Sequence, residues 1–399
     1  MRAYRLYLVV LFAVMAACFA VVPVNLAFMH NVGELATEQQ IALMQQNLGG
    51  LFGPATSFDI RRYKLALVAA RAPAVVALGS SRVMQFREQF FSVRFANLGG
   101  TVSNSRALVE MATALAQVQH VQLVIVGMDF WWTNQELRRN VPEAAVSEDV
   151  LSRTIELGFV PVRWLVDHKF GLEFYRSTIR GGFPARIDGI PAFGASAALR
   201  GNGFARDGSY VYNGVVYGLE QSTDVEFREI RDRIDHSIDN FSRNAKFDED
   251  AIADMKTAIA RLRAAGKKVV VFVPPLANAI LSAVRDRGDQ YAYLERFYAS
   301  MAQLGADAWY DFHDPAVLHS SDCEFIDGIH GGDVTYARIL RAMTQYVALT
   351  PYVRTDVIDR AIAVFDGYPD AQLSTVLPNR NEVDFLGIGC DRARTMGTQ

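Results

Sequence analysis

Ala74-Val75-Val76-Ala77-Leu78, followed at once by Gly79-Ser80-Ser81, governs how the rest of the chain reads. An unbroken apolar run stopped by a glycine and two serines describes a short strand covered on both faces, because neither face alternates with polar side chains. Beyond it, Val93 to Asn97 is a second candidate strand, closed by Gly99-Gly100, and Val121 to Val126 is a third, ending at Gly127-Met128-Asp129. Val269 to Val273, stopped by Pro274-Pro275, is a fourth, and Ala308 to Tyr310 a short fifth.

Helical patterns fill the gaps. One is expected from Ser81 toward Phe91. Ser103 or Asn104 can cap the next, whose Leu108, Met111, Ala112 and Leu115 fall on one face. Acidic Asp248, Glu249 and Asp250 open another, with Ile252, Met255, Ile259 and Leu262 on its apolar side. A further helix follows the fourth strand, and the last runs from Asp333 to Val347. Strands that alternate with helices and are apolar throughout predict an α/β fold with a mainly parallel sheet covered on both faces. Sites in such sheets form at the carboxyl ends of the strands. That rule selects Gly79-Ser80-Ser81, Asn97-Leu98-Gly99-Gly100, Gly127-Met128-Asp129 and the loop before Asp333.

Composition narrows the class. With 399 residues, 51% hydrophobic and 21% charged, the chain is too apolar for a disordered protein and long enough to bury a sizeable core. A net charge of −3 gives no overall field for capturing nucleic acid. Three cysteines without a Cys-x-x-Cys pair exclude a disulfide-dense scaffold and a zinc knuckle.

The amino terminus bears on the compartment. Leu6 to Phe28 carries no charge, and only Pro23 and Asn25 interrupt it. As a helix it reaches about 34 Å, enough for a hydrocarbon core of about 30 Å. Arg2 and Arg5 precede it and no Lys or Arg follows until Arg61, so the positive-inside rule places the amino terminus in the cytoplasm and the main domain outside, in the periplasm. A cleaved signal peptide needs a shorter apolar region and a polar sequel, whereas this run continues past every small-x-small site. The expectation is an uncleaved single-pass anchor over residues 1–30. Cys18 then lies within the span, and Cys323 and Cys390 either pair in an oxidising compartment or remain separate buried thiols.

Residues 31–72 read as a juxtamembrane helical segment, 73–350 as the α/β domain and 351–399 as a docked extension. Residues 133–245 interrupt the alternation. Glycines crowd the stretch from Gly181 to Gly218, so an insertion of loops and short strands is expected, growing from the third strand's carboxyl end. It either walls a substrate groove or is a structural cap.

Two motifs carry chemistry. A serine at the start of a helix meets free N–H donors and a positive dipole that suit an oxyanion, but it still needs a base. Asp327-Gly328-Ile329-His330 supplies one, since a carboxylate three residues from a histidine can hold Nδ1–H and leave Nε2 to take a serine proton. Ser81 is favoured over Ser80 as nucleophile. A metal reading of His313, Asp314, His319, Asp322, Asp327, His330 and Asp333 lacks regular ligand spacing and an H-E-x-x-H helix, so neither metal nor cofactor is expected.

Serine after the first strand, Asn-x-Gly after the second, Gly-x-Asp after the third and Asp-x-x-His after the last form an ordered series. This resembles the SGNH (GDSL-like) hydrolase superfamily over roughly Pro73 to Val347, and implies a flavodoxin-like three-layer fold. The anchor, the Gly-Ser-Ser turn and the Asp-x-x-His are similar to its envelope branch, which includes proteins of teichoic-acid D-alanylation and alginate O-acetylation that work beside membrane-bound O-acyltransferases. The resemblance implies Ser81 as nucleophile, His330 as base and Asp327 as orienting acid. It also implies an oxyanion and substrate-binding region at Gly99, Gly100, Asn104 and Asp129. Asp129 departs from the pattern, which has an oxyanion-donating asparagine there, and Ser80 stands where the family usually has aspartate. The implied activity is O-acyl transfer or ester hydrolysis, with acetyl as the acyl group and an envelope polysaccharide as acceptor. A membrane-bound O-acyltransferase is the implied partner. The alternative is a catalytically silent binding or assembly subunit on the same fold.

Overall fold

The computed structural model describes residues 2–139, 150–373 and 381–391; parts of the expected insertion (140–149) and extension (374–380 and 392–399) lie outside the described residues. In chain order the described strands are β1 (Leu51–Phe52), β2 (Val75–Gly79), β3 (Phe95–Gly99), β4 (Leu123–Gly127), β5 (Ala185–Ile187), β6 (Ile190–Phe193), β7 (Asn202–Phe204), β8 (Tyr210–Tyr212), β9 (Lys268–Val273) and β10 (Ala308–Asp311).

The main sheet runs β10-β9-β4-β2-β3, and every neighbouring pair in it is parallel. Successive residues of each strand point to opposite faces. Val76, Leu78, Val124, Val126, Val269 and Val271 pack with the helices Ser105–Ala116 and Glu249–Ala264. Val75, Ala77, Leu123, Ile125, Val270 and Phe272 pack with Asp333–Met343 and Thr355–Val364. Helices on both faces explain why these strands are apolar throughout. The chain is therefore α/β, with a mainly parallel central sheet.

The second sheet is mixed, in the order β5-β6-β1-β7-β8, with β1 parallel to β6 and antiparallel to β7. It joins the two parts of the chain expected to stand apart. Segment 31–72 forms the helices Glu38–Leu48 and Ile60–Arg71, but it also contributes β1, which lies between strands of the insertion. The insertion itself is more helical than its glycines predict. It contains Val150–Val166 and Leu172–Gly181, and side chains of both pack around Phe28 near the end of the amino-terminal helix.

That amino-terminal helix spans Arg2–Asn31. Among the described residues no helix is long and apolar enough to cross a membrane. The carboxyl end of the helix is part of the fold. Phe28 and Met29 are buried with Val160, Trp164 and Phe170, and Asn25 donates Nδ2–H to the Gly158 carbonyl at 2.6 Å while accepting from the Tyr175 hydroxyl at 2.6 Å. The polar residue that interrupts the uncharged stretch is thus satisfied by the insertion.

One expected element is replaced. From Ser81 toward Phe91 the chain makes two 3₁₀ turns, Ser81–Val83 and Glu88–Phe90, in place of a continuous helix. Asn97 explains the break, because its Nδ2 donates to the carbonyls of Val83 and Phe86, acceptors that a helix would use for itself. Arg82, Gln85 and Arg87 are also all buried here, and they reach partners in different directions. The helix that starts at Asp333 ends at Met343, earlier than Val347, and a further helix, Thr355–Val364, follows it in the extension.

Candidate functional site

Ser81, His330 and Asp327 meet at the carboxyl end of the main sheet. Ser81 Oγ lies 2.8 Å from His330 Nε2, and His330 Nδ1 lies 2.7 Å from Asp327 Oδ2. Ser81 lies two residues beyond β2, and the other two lie on the loop entering the helix Asp333–Met343. All three are partly exposed, His330 at 15% and Asp327 at 26%, so the relay opens to solvent. Asp327 turns its other oxygen, Oδ1, to the N–H groups of Ile329 and His330 at 2.9 and 2.8 Å. Burial pushes its carboxyl up, but the charge and hydrogen bond of His330 and these two N–H groups outweigh burial, holding it below the ordinary aspartate range. An ionised Asp327 on Nδ1–H leaves Nε2 as the acceptor facing the serine, which is what a general base requires.

The region expected to bind an oxyanion is arranged differently. The Gly99 N–H donates to Asn97 Oδ1 at 2.8 Å, and the Gly100 N–H donates to the Gly79 carbonyl at 3.1 Å. Asn104 caps the helix Ser105–Ala116 by accepting from Ala107 N–H at 2.9 Å. The N–H of Ser81 makes no hydrogen bond to another described residue. Since only a 3₁₀ turn follows Ser81, the expected dipole of a long helix is not behind it. Asp129, whose carboxylate would repel an oxyanion, is turned to a different task. Its Oδ1 accepts from Arg82 Nη1 at 2.9 Å, and both side chains are 1% exposed. Burial raises the Asp129 carboxyl above its ordinary range, against the Arg82 charge and the Ser80 hydroxyl, which pull it down.

Other parts of the chain hold the Asp327–His330 loop in place. Asp224, from the insertion, accepts from Gly328 N–H through Oδ2 at 2.9 Å and from Ile230 N–H through Oδ1 at 3.1 Å. The insertion also brings the ring of Tyr212 to 6.4 Å from that of His330. Cys323, just ahead of the loop, is bonded to Cys390 of the extension, with Cα atoms 5.7 Å apart. Farther along, His313 pairs with Asp311, Asp314 with Arg285, and Asp322 accepts from the N–H of Asn278. Among the described residues no group of three or more His, Cys, Asp or Glu side chains converges to hold a metal.

Sequence reasoning missed Arg82 and Asp224. Arg82 left a signal, a charged residue wedged between a strand-end serine and apolar Val83-Met84. Asp224 left none, since it is 104 residues from the loop it holds. No family model, curated protein or solved structure matches the chain.

Proposed function

We propose that the chain is a membrane-anchored, extracytoplasmic serine O-acyltransferase or esterase of SGNH type, moving an acetyl group to a hydroxyl of an envelope polysaccharide or to water. The observation that carries this reading is the hydrogen-bonded series Ser81–His330–Asp327. Further support comes from the main sheet. Numbered by themselves in chain order, its strands read 2-1-3-4-5, the flavodoxin-like order. The uncharged stretch Leu6 to Phe28 behind Arg2 and Arg5 supports the anchor, and the Cys323–Cys390 bond suits an oxidising compartment.

In this mechanism Ser81 Oγ attacks the acyl carbonyl of a donor ester while its proton passes to His330 Nε2. The tetrahedral intermediate collapses, the donor's C–O bond breaks, and the leaving alkoxide takes that proton. An acceptor hydroxyl then loses its proton to His330 and attacks the acyl-serine; the acyl C–Oγ bond breaks and Ser81 Oγ takes the proton back from His330, leaving the new ester and a free serine. Asp327 keeps the ring in one tautomer and stabilises the imidazolium between steps. The open N–H of Ser81 is one donor for the oxyanion.

The binding-subunit reading is favoured by one feature, the occupied N–H groups of Gly99 and Gly100. The two readings separate with the full chain in detergent, p-nitrophenyl acetate and intact-mass measurement. An acetyl-enzyme reading expects acetate on Ser81 and turnover that falls about a thousandfold or more in Ser81→Ala and His330→Ala. Turnover retained in Ser81→Ala, or a folded chain that neither turns over nor acquires acetate, overturns it.

A further inference from the structure

Arg82 directly follows the serine, yet its side chain turns away from solvent and spreads across the carboxyl end of the sheet. Nη1 donates to Asp129 Oδ1 at 2.9 Å, Nη2 to the carbonyls of Pro274 and Pro275 at 2.7 and 2.6 Å, and Nε to the Ile329 carbonyl at 3.1 Å. These acceptors follow β4, follow β9, and sit beside His330. We propose that Arg82 is a positioning residue, a fork that sets the distance between Ser81 and His330 by tying the turn that carries one to the loop that carries the other. The inference rests on the triad reading and extends it to how the triad is held.

The connections form a closed ring. From Ser81 the chain leads to Arg82, through its guanidinium to Ile329, along one peptide unit to His330, and back to Ser81 by the 2.8 Å bond from Nε2. A guanidinium is planar, with donors in fixed directions, so it measures distances as well as supplying charge. The acceptors here belong to three places, the end of β4, the end of β9 and the His330 loop. Tyr336 adds a second tether, its hydroxyl donating to the Arg82 carbonyl from the helix that follows the His330 loop.

The charge balance favours geometry over stability as the reason for this pair. A buried ion pair is commonly no more stable than apolar side chains of the same size, because both ions lose their water. Here the ions are nevertheless kept at a place where four acceptors from three segments converge. Asp129 compensates the charge, Trp131 places its ring 5.4 Å from the guanidinium carbon, and the three carbonyls take the remaining directions. This gives Asp129 the task of counterion to Arg82 in place of donor to an oxyanion. The chemistry next to Ser81 therefore needs no protonated carboxyl.

Arg82→Lys keeps the charge and loses the fork; Asp129→Asn keeps the shape and loses the counterion. Each is compared with the full-length wild-type chain for the rate at which a fluorophosphonate labels Ser81, across pH, and for its thermal unfolding. The wild-type labelling rate is expected to rise with pH and then level, the profile of a serine activated by a base. In Arg82→Lys, labelling falls about a hundredfold, the loss that a misplacement of about 1 Å produces. The plateau also disappears, leaving a rate that keeps climbing with alkalinity. Asp129→Asn retains the three carbonyl contacts and is expected to fall about tenfold with its plateau kept, which provides a reading if Arg82→Lys does not fold. A folded Arg82→Lys that labels at the wild-type rate with the wild-type pH profile overturns the positioning role while leaving the triad intact. So does Asp129→Asn labelling at the wild-type rate when Arg82→Lys is unfolded. A folded wild type that does not label overturns the triad reading and the positioning role together.

Discussion

Asp224 places each carboxylate oxygen on a backbone N–H, one at Ile230 in its own segment and one at Gly328 between Asp327 and His330. Burial raises its carboxyl above the usual range, while the two N–H groups pull it back. Asp224→Ala removes both acceptors and strands two N–H groups, at about 1–3 kcal/mol for each one left without a partner. The expected outcome is a lower unfolding midpoint and, under the proposed function, slower acetylation of Ser81. Asp224→Asn keeps one carbonyl oxygen and should fall between alanine and wild type. An alanine variant with wild-type midpoint and rate would remove Asp224 from any role in holding the loop. The contrast with the triad shows which single residues are legible in the sequence. Asp327 and His330 lie three residues apart, so their pairing can be read from spacing, and Ser81 is marked by the strand just before it. Arg82 and Asp224 act on partners 247 and 104 residues away, and nothing local to either residue announces that distance.

Strands β2 and β4, and β9 beyond Lys268, are readable because they are buried on both faces and apolar without interruption, whereas β3 carries the buried Asn97 and the edge strand β10 is only partly buried, with Trp309 exposed. The turns beyond the strand ends are harder to read. The turn after β2 looks like a helix start by residue type, but Asn97 on the next strand takes the carbonyls such a helix would use. That turn also presses against the neighbouring strand end. A Cβ added at Gly127, the last residue of β4, would lie 2.3 Å from Val83 Cγ1 and 3.3 Å from Phe272 Cζ. Gly127→Ala therefore has to push the Ser81–Val83 turn outward, and overpacking of this kind costs about 1–3 kcal/mol. The expected result is a destabilised chain in which Val83→Ala, by opening the space, restores part of the loss. Chemical denaturation of the two single variants and the double variant measures the coupling. Strictly additive effects would mean that the turn does not rest on Gly127. The insertion is hard to read for a related reason. Its glycines suggest loops, whereas Val160 and Trp164 owe their helical burial to Phe28, far away at the amino terminus.

Among the described residues, segments from both ends of the chain pack onto the middle. β1 enters the insertion's sheet, and the extension is bonded through Cys390 to the triad loop. Lys64, in the helix Ile60–Arg71, is the buried pin of the first union. Its Nζ donates to the Asn97 carbonyl at 3.0 Å and to the Gly208 carbonyl, and lies 4.4 Å from the centre of the Phe204 ring. A lysine in this setting cannot be anticipated from sequence, where Arg61-Arg62-Tyr63-Lys64 reads as a solvated helix start. Burial lowers its ammonium to about 7, although the Asp207 carboxylate opposes the shift. In the unfolded chain the same group titrates near about 10.4. Below pH 7 both states hold the proton, and the folded state bears the full penalty of a buried charge. Between about 7 and 10.4 the unfolded chain keeps a proton that the folded chain has released, so stability from this group rises with pH across that window. Lys64→Met removes the titration together with the two hydrogen bonds. The unfolding midpoint of wild type minus that of Lys64→Met should therefore stay level below pH 6 and grow steadily from pH 7 to 10. A difference that stays constant over the whole range would mean that Lys64 is charged throughout, and that Asp207 and the Phe204 face stabilise it better than burial penalises it.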